Sequence, residues 1–224
     1  MPRQPRFLPP ENYYHIMNRG NNHMQIFTCN DDYQFYLEKL AELKLEHPFD
    51  LYHYCLMGTH LHLLVKINKD SDFSNFSKRL NLKYSSYFER NYGFVGHFWQ
   101  GRFKSQLISN DPYFIQCGKY IELNPVEAGI VENPEDYPWS SHRHYSSGEV
   151  NNLITENIFY NDLGKDSKER QSNYKKLVVD TAISEYIDKS DTIAMGTKQF
   201  VYNANRKAKY HKDNKHAPYR QSGI

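Results

Sequence analysis

The stretch DLYHYCLMGTHLHLLVKI, residues 50–67, places two apolar runs on either side of a Gly-Thr pair. Successive side chains of a β-strand point to opposite faces, so His60, His62 and Lys66 would share one face of the second run. Leu64 would lie on that face too, and the other face, formed by Leu61, Leu63, Val65 and Ile67, can line a core. The Gly58-Thr59 pair is typical of a turn. The stretch therefore predicts a β-hairpin that carries a histidine pair.

The two histidines lie two residues apart, so their Cα atoms would be about 6.6 Å apart on one strand face. Imidazoles at that spacing can reach a common metal ion. Packed or solvated histidines are nevertheless more common than metal ligands. The spacing alone leaves both interpretations open.

Segments on either side of the hairpin predict an alternation of strands and helices. ENYYHIMNRGNN, residues 11–22, predicts a strand that ends at Gly20, and CNDDYQFYLEKLAELKLEHP, residues 29–48, predicts an amphipathic helix capped by Asn30 or Asp31. Apolar residues between 73 and 88 recur at helical spacing, and that helix would end near Gly93.

The next two elements are a fourth strand and a third helix. GHFWQGRFKSQLIS, residues 96–109, predicts the strand, interrupted at Gly101. SNDPYFIQCGKYIELNP, residues 109–125, predicts the helix, with Asp111 as its N-cap. Pro125 disfavours helical geometry in the preceding residue, so the helix should end at Asn124.

The predicted order is β α β β α β α. Without the last helix, this is the split βαβ pattern of a ferredoxin-like antiparallel sheet, an α+β fold with two helices on one face. The opposite face would be free to hold a site. We assign residues 1–131 to this domain and residues 132–224 to a C-terminal extension with a helix near residues 170–190 and a basic tail.

Composition restricts the class of protein. Hydrophobic residues make up 39% of the chain and include 32 Tyr and Phe, which is enough for a core and excludes a disordered chain. The sequence contains neither an apolar run of about 18 residues nor a signal-peptide core, so we expect a cytoplasmic protein without membrane contact. Three cysteines without a CxxC pair favour reduced thiols. A GxxxxGK[ST] loop is absent, so we expect no nucleotide cofactor.

The net charge of +2 is distributed unevenly. Residues 78–119 carry seven Lys or Arg against two acids, and residues 198–224 carry seven against one. Basic blocks combined with many aromatic residues favour contact with nucleic acid, although a solvated face or disorder would also explain the tail. The candidate DNA contacts are Arg19, Lys78, Arg79, Lys83, Arg102 and Lys104.

The third predicted helix supplies a possible partner for the histidine pair. Tyr120 and Asn124 are one turn apart and project from the same side. A phenol and a carboxamide facing two imidazoles would suit metal-assisted phosphoryl transfer. Spacing does not select Tyr120 among 19 tyrosines, and an Asn before Pro often caps or turns the chain instead.

Several motifs together resemble one family. His60-Leu61-His62 resembles the His-hydrophobic-His motif of single-tyrosine HUH nucleases, and KYIELNPVEAGIV, residues 119–131, resembles the tyrosine helix of REP-associated tyrosine transposases. YHIMNRGNN, FWQGRFKS and YPWSS resemble further stretches of that branch in the same order, with a weaker similarity at MGTKQF. The resemblance runs from about residue 13 to about residue 141.

The resemblance implies a ferredoxin-like nuclease that binds single-stranded DNA folded into hairpins, the repetitive extragenic palindromes. Such an enzyme cuts one strand, holds the 5′ end as a phosphotyrosine, and uses Mg²⁺ or Mn²⁺. By position, Tyr120 would be the nucleophile and His60 and His62 two metal ligands. Asn124 would be the third ligand, where relatives often have Gln.

This chain departs from the branch at two places. It has Gly58-Thr59 where Pro-Asn is common, and Glu127 where Arg is frequent. The first change directly precedes His60 and bears on the geometry of the turn. The resemblance leaves open a monomer or a homodimer, and a catalytically retired hairpin-binding protein is the alternative function. A different HxH phosphoesterase would need a second such motif on a strand, and neither His53 nor the histidines of SHRH, residues 141–144, show a strand pattern like that of residues 60–62.

Three further side chains have two interpretations each. His15 would pack or support the site rather than contact a phosphate. Trp99 and Trp139 would anchor the core rather than stack on unpaired bases.

Overall fold

The computed structural model describes residues 6–109, 112–156, 158–180 and 192–213. The strands are β1 (Asn12–Arg19), β2 (Asp50–Met57), β3 (His60–Ile67), β4 (Lys104–Ile108) and β5 (Ala194–Met195). The helices are α1 (Asn30–Glu46), α2 (Phe73–Tyr92), α3 (Pro112–Glu127), α4 (His142–Ser147), α5 (Ile158–Asn161), α6 (Ser167–Asp180) and α7 (Lys198–Asp213). Up to α3, the order is the predicted β α β β α β α.

The strands form one sheet in the order β2-β3-β1-β4-β5. The first four pair antiparallel, whereas the short β5 pairs parallel with β4. The register places His60 opposite Arg19 and His62 opposite Met17. The α+β fold with a ferredoxin-like split βαβ sheet is therefore confirmed, and the extension adds a strand to its edge.

The main core lies between the sheet and helices α1 and α2. Leu61, Leu63 and Val65 of β3 are buried in it, as their alternation predicts. On the opposite face, Leu64 packs in a second cluster that includes Cys117 and Ile121 of α3. The face that carries the histidine pair is thus not free, because α3 lies across it.

The start of α1 differs from the prediction. Cys29, rather than Asn30 or Asp31, is the N-cap residue. The buried carboxylate of Asp32 accepts hydrogen bonds from the backbone N–H groups of Thr28 and Cys29. Asp32, at the third helical position, therefore satisfies N–H groups at and before the N-cap, whereas a side chain capping from Asn30 or Asp31 would accept from N–H groups further into the helix.

The end of α3 was also predicted wrongly, since the helix continues through Pro125 to Glu127. Proline lacks an N–H, so it removes one hydrogen bond near the helix end, while Ala128 still donates to the Asn124 carbonyl. The predicted N-cap, Asp111, lies outside the described residues.

The fourth strand is shorter than predicted and begins at Lys104. The backbone N–H of Gln100 bonds to the carbonyl of Arg19, and an isolated bridge joins Gly20 to Trp99. The chain bends between this contact and β4. Arg102 therefore precedes the strand instead of lying on it.

The extension contains the predicted helix as α6, described from Ser167 to Asp180, and the remainder of the predicted range lies outside the described residues. The tail forms helix α7 up to Asp213, with Ala204 fully buried and Phe200 packed against the main core. Disorder is therefore the wrong description of residues 198–213, whereas a solvated basic face agrees with the exposure of Lys198, Arg206 and Lys209. The domain boundary at residue 131 stays a prediction.

Candidate active site

The hairpin places the histidine pair side by side at the start of β3, next to the turn. The ring centroids of His60 and His62 are 5.0 Å apart. His60 is half-buried, and its Nδ1 lies 2.9 Å from the hydroxyl oxygen of Thr59 in the turn. A hydrogen bond at Nδ1 leaves Nε2 as the ring nitrogen of His60 that can bind another group.

His15 on β1 orients His62. Its Nε2 lies 2.8 Å from Nδ1 of His62, and the two rings stack with centroids 5.0 Å apart. His62 is buried, and its Nε2 has no hydrogen-bond partner in the part of the chain that the structure describes. Buried polar atoms are nearly always paired, so this nitrogen can take a partner that the described residues do not supply. The predicted supporting role of His15 agrees with this contact.

Burial keeps all three imidazoles neutral. It lowers the pKa of His15 to about 3, and that of His60 to about 4 with a smaller contribution from Arg19. For His62, burial, followed by the neighbouring histidines, holds the pKa well below its ordinary value. A neutral imidazole retains the lone pair that a metal ion needs.

Helix α3 presents Tyr120 to this pair. The phenol ring lies edge-on to His62 and His15, with centroids 5.7 Å and 5.8 Å away. Tyr120 is half-buried and lines the same cleft as both histidines of the pair. The structure thus brings together the tyrosine and the histidines that the motifs selected.

Asn124 lies one turn further along α3. It is 9% exposed, and its Nδ2 donates to the Tyr120 carbonyl at 2.7 Å. It is not among the described residues that line the cleft. Nor do three His, Cys, Asp or Glu side chains converge on a metal position within the described ranges. The role of Asn124 as third ligand stays a prediction.

The cleft has a volume of about 310 Å³ and a basic rim. Arg19, Arg102 and Lys104 line it, and Nε of Arg19 donates to Gln100 at 2.5 Å. A groove of about 650 Å³ along α2 is lined by Lys78 and Trp99 and shares Arg102 with the cleft. Four of the six predicted DNA contacts therefore line one or both of these two depressions, which share Arg102.

The other two predicted contacts lie elsewhere. Arg79 is ion-paired with Glu46, and Lys83 is paired with Glu42 at 3.1 Å, both across the α1–α2 contact. Neither is among the described residues lining the cleft or the groove. Their contact with DNA stays a prediction.

Both tryptophans are anchored. The indole N–H of Trp99 donates to the Asn81 carbonyl at 3.2 Å. Trp139 stacks on Tyr33 with ring centroids 4.6 Å apart and planes 8° from parallel. These contacts agree with the anchoring interpretation.

Sequence reasoning missed a buried acid two residues after Tyr120 in the sequence. Glu122 is fully buried and is hydrogen-bonded to His53 and His142. Burial opposes its ionisation, but these two hydrogen bonds outweigh burial and hold the pKa of Glu122 well below its ordinary value. Two features of the sequence could have indicated this role: Glu122 is a single acid among the apolar residues of its helix, and the YPWSS motif directly precedes His142.

A split βαβ sheet that holds a histidine pair on an interior strand, with a tyrosine helix across the same face, defines a single-tyrosine HUH domain. The chain belongs to the IS200-like transposase family, whose family model matches residues 10–124. The motifs that resemble this family lie at the site just described, apart from YPWSS and MGTKQF.

Two relatives share the REP-associated branch. A REP-associated tyrosine transposase of Escherichia coli K12 is 25% identical over 138 residues, covering 61% of this chain and 79% of the relative. A Haemophilus influenzae protein provisionally given the same name is 32% identical over 107 residues, covering 42% and 60%. The predicted resemblance to this branch is confirmed.

A solved structure shares the fold. It is a REP-associated tyrosine transposase bound to a REP hairpin, with a TM-score of 0.55 and 22% identity. The match covers 70% of this chain and 93% of the solved one. Separately, none of the described helices has the length and apolarity needed to cross a membrane.

Proposed function

We propose that this protein cleaves and rejoins single-stranded DNA beside a hairpin, with Tyr120 as the nucleophile. The observation that carries the proposal is the position of the Tyr120 ring, edge-on to His62 in a basic cleft. The partnerless Nε2 of His62 faces no other described hydrogen-bonding group, so it is available to a ligand.

The residues fit a divalent metal ion. His60 and His62 would hold it, since both are neutral and adjacent, and Asn124 remains the proposed oxygen ligand. Oxygen donors favour Mg²⁺ or Mn²⁺, while the imidazoles favour the softer Mn²⁺. When bound, the ion would polarise the scissile phosphate.

The chain's own residues would carry out the transfer. The Tyr120 oxygen forms a bond to phosphorus and the bond to the 3′ oxygen breaks, which leaves a 5′-phosphotyrosine and a 3′-hydroxyl. The phenolic proton is released and the leaving oxygen gains one. Since the phosphotyrosine retains an ester bond, attack by another 3′-hydroxyl joins strands without ATP.

The proposed partner is hairpin DNA. The basic rim and groove, with Arg19, Lys78, Arg102 and Lys104, would contact phosphates. The solved relative is described as bound to a REP hairpin, which supports this choice. Cytoplasmic location and a monomeric or dimeric state stay predictions.

The test is a covalent adduct assay with labelled hairpin DNA carrying a single-stranded flank, in Mn²⁺. The wild type should give an adduct that resists denaturation. Tyr120→Phe should abolish it with little change in hairpin affinity, whereas Tyr113→Phe, two turns earlier on α3, should behave as the wild type. Hairpin binding without any adduct would identify a retired binding protein, and an adduct in Tyr120→Phe would assign another nucleophile.

A further inference from the structure

A buried hydrogen-bond cluster surrounds the carboxylate of Glu122 on the far side of α3 from Tyr120. Oε1 lies 2.8 Å from Nδ1 of His53 and 2.6 Å from the hydroxyl of Ser141. Oε2 lies 2.9 Å from Nδ1 of His142 and 2.7 Å from the hydroxyl of Tyr174. One carboxylate therefore joins α3 to β2, to the start of α4 and to α6.

Burying the Glu122 carboxylate destabilises the fold unless hydrogen bonds to all of its donors are formed. A buried ionised carboxylate loses its hydration and must be compensated by hydrogen bonds. All four donors are on other elements, and all are buried. Glu122 thus has a single arrangement in which its charge is satisfied, and α3 is held in that arrangement.

Because Glu122 and Tyr120 lie on the same helix, fixing the position of Glu122 also fixes the position of the Tyr120 side chain. Glu122 follows Tyr120 by two residues, or about 200° around a helix, so the side chains leave α3 on nearly opposite sides. With side-chain ends about 5–6 Å from the helix axis, a roll of α3 by about 10° would move them by about 1 Å. Displacements of that size can cost about 10²-fold in rate when a nucleophile is misplaced.

We infer that Glu122 is a positioning residue that fixes the rotation of the tyrosine helix, and that the C-terminal extension supplies most of its hydrogen-bond donors. Ser141, His142 and Tyr174 belong to the extension, whereas His53 belongs to the sheet. The extension therefore sets the position of a nucleophile that the first domain carries. The inference rests on the proposed function for its effect on rate, but not for its effect on α3.

A matched pair of variants tests it. Tyr174→Phe removes one hydroxyl from Glu122, while Tyr160→Phe removes a hydroxyl of a neighbouring tyrosine that donates instead to the Tyr145 carbonyl at 2.9 Å. Both tyrosines are 5% exposed and lie in the same apolar cluster. The two variants therefore keep similar apolar packing and differ in whether the lost hydroxyl donated to the Glu122 carboxylate or to a backbone carbonyl.

The measurements are the single-turnover cleavage rate at saturating hairpin DNA, the hairpin Kd, and amide hydrogen exchange in residues 112–127. Tyr174→Phe should lower the rate about 10-fold or more, within the range for a displaced nucleophile, and leave Kd within about 2-fold. Exchange in α3 should rise. Tyr160→Phe should leave all three measurements near the wild type.

Equal effects of the two variants on rate and on α3 exchange would overturn the inference. If the wild type forms no adduct, the proposed function fails, but the exchange comparison still decides whether Glu122 holds the helix. A more severe variant, Glu122→Gln, keeps the shape and loses the charge, and it should raise α3 exchange more than Tyr174→Phe does.

Discussion

Replacing Gly118 with alanine would have two opposing effects on the stability of α3: a gain in helix propensity and a steric clash with His53. Within a helix, Gly→Ala normally stabilises a protein by about 1 kcal/mol. Here the added Cβ would lie 2.7 Å from Nε2 and 2.9 Å from Cδ2 of His53. The ring cannot simply move away, because its Nδ1 is hydrogen-bonded to Glu122.

The expected magnitude follows from that contact. Overpacking a core costs about 1–3 kcal/mol, and a strained hydrogen bond to a charged group forfeits part of about 1.5–3 kcal/mol. After subtracting the helix propensity gain of about 1 kcal/mol, Gly118→Ala should lower the free energy of unfolding by about 1–3 kcal/mol. Urea denaturation measures it, with the midpoint shifting and the slope unchanged.

The control is the same substitution in a His53→Asn background. The asparagine amide can place a donor where ring Nδ1 was, but it lacks the part of the ring that the new Cβ meets. Gly118→Ala should then be neutral or stabilising by up to about 1 kcal/mol. The coupling between the two sites should be about 2 kcal/mol, as for residues in contact. If Gly118→Ala stabilises both backgrounds equally, the close approach of α3 to His53 is not what glycine permits.

Four further predictions concern the site and its surroundings. Asn124→Asp should retain more Mn²⁺-dependent cleavage than Asn124→Ala if Asn124 is a metal ligand. If both variants lose activity equally and the metal titration midpoint is unchanged, the role of Asn124 is its hydrogen bond to the Tyr120 carbonyl. Arg102→Ala should weaken hairpin binding and reduce the salt slope by about 0.7 per lost single-strand phosphate contact, whereas Arg79→Ala, already ion-paired, should change the slope little. Replacing the exposed Arg206, Lys209 and Lys212 with glutamine should flatten the same slope if α7 contacts DNA, and this substitution avoids removing Ala204 from the core. Folding lowers the pKa of Glu122 from its ordinary value of 4.5, so its charge stabilises the folded state fully above about pH 4.5. That stabilisation is lost as the pH falls towards the folded pKa. The free energy of unfolding should therefore fall more steeply below about pH 4.5 in the wild type than in Glu122→Gln.

Local patterns determined the sheet and the identity of the central residues. Alternation in residues 60–67 selects which side chains face the core, because strand faces repeat every two residues. Helical spacing located α1, α2 and most of α3, and a Gly-Thr pair located the hairpin. Motifs, rather than spacing, selected Tyr120 among many tyrosines.

Long-range packing decided what those patterns could not. The helix runs through Pro125, and Arg79 is held by Glu46 rather than at the cleft, since each outcome depends on neighbours remote in sequence. The partners of His62 and Glu122 come from other strands and helices, 47 to 69 residues away in the cases of His15 and His53. A sequence shows which side chains can ionise or coordinate, but only tertiary structure brings His15 against His62 and gathers four donors around one buried carboxylate.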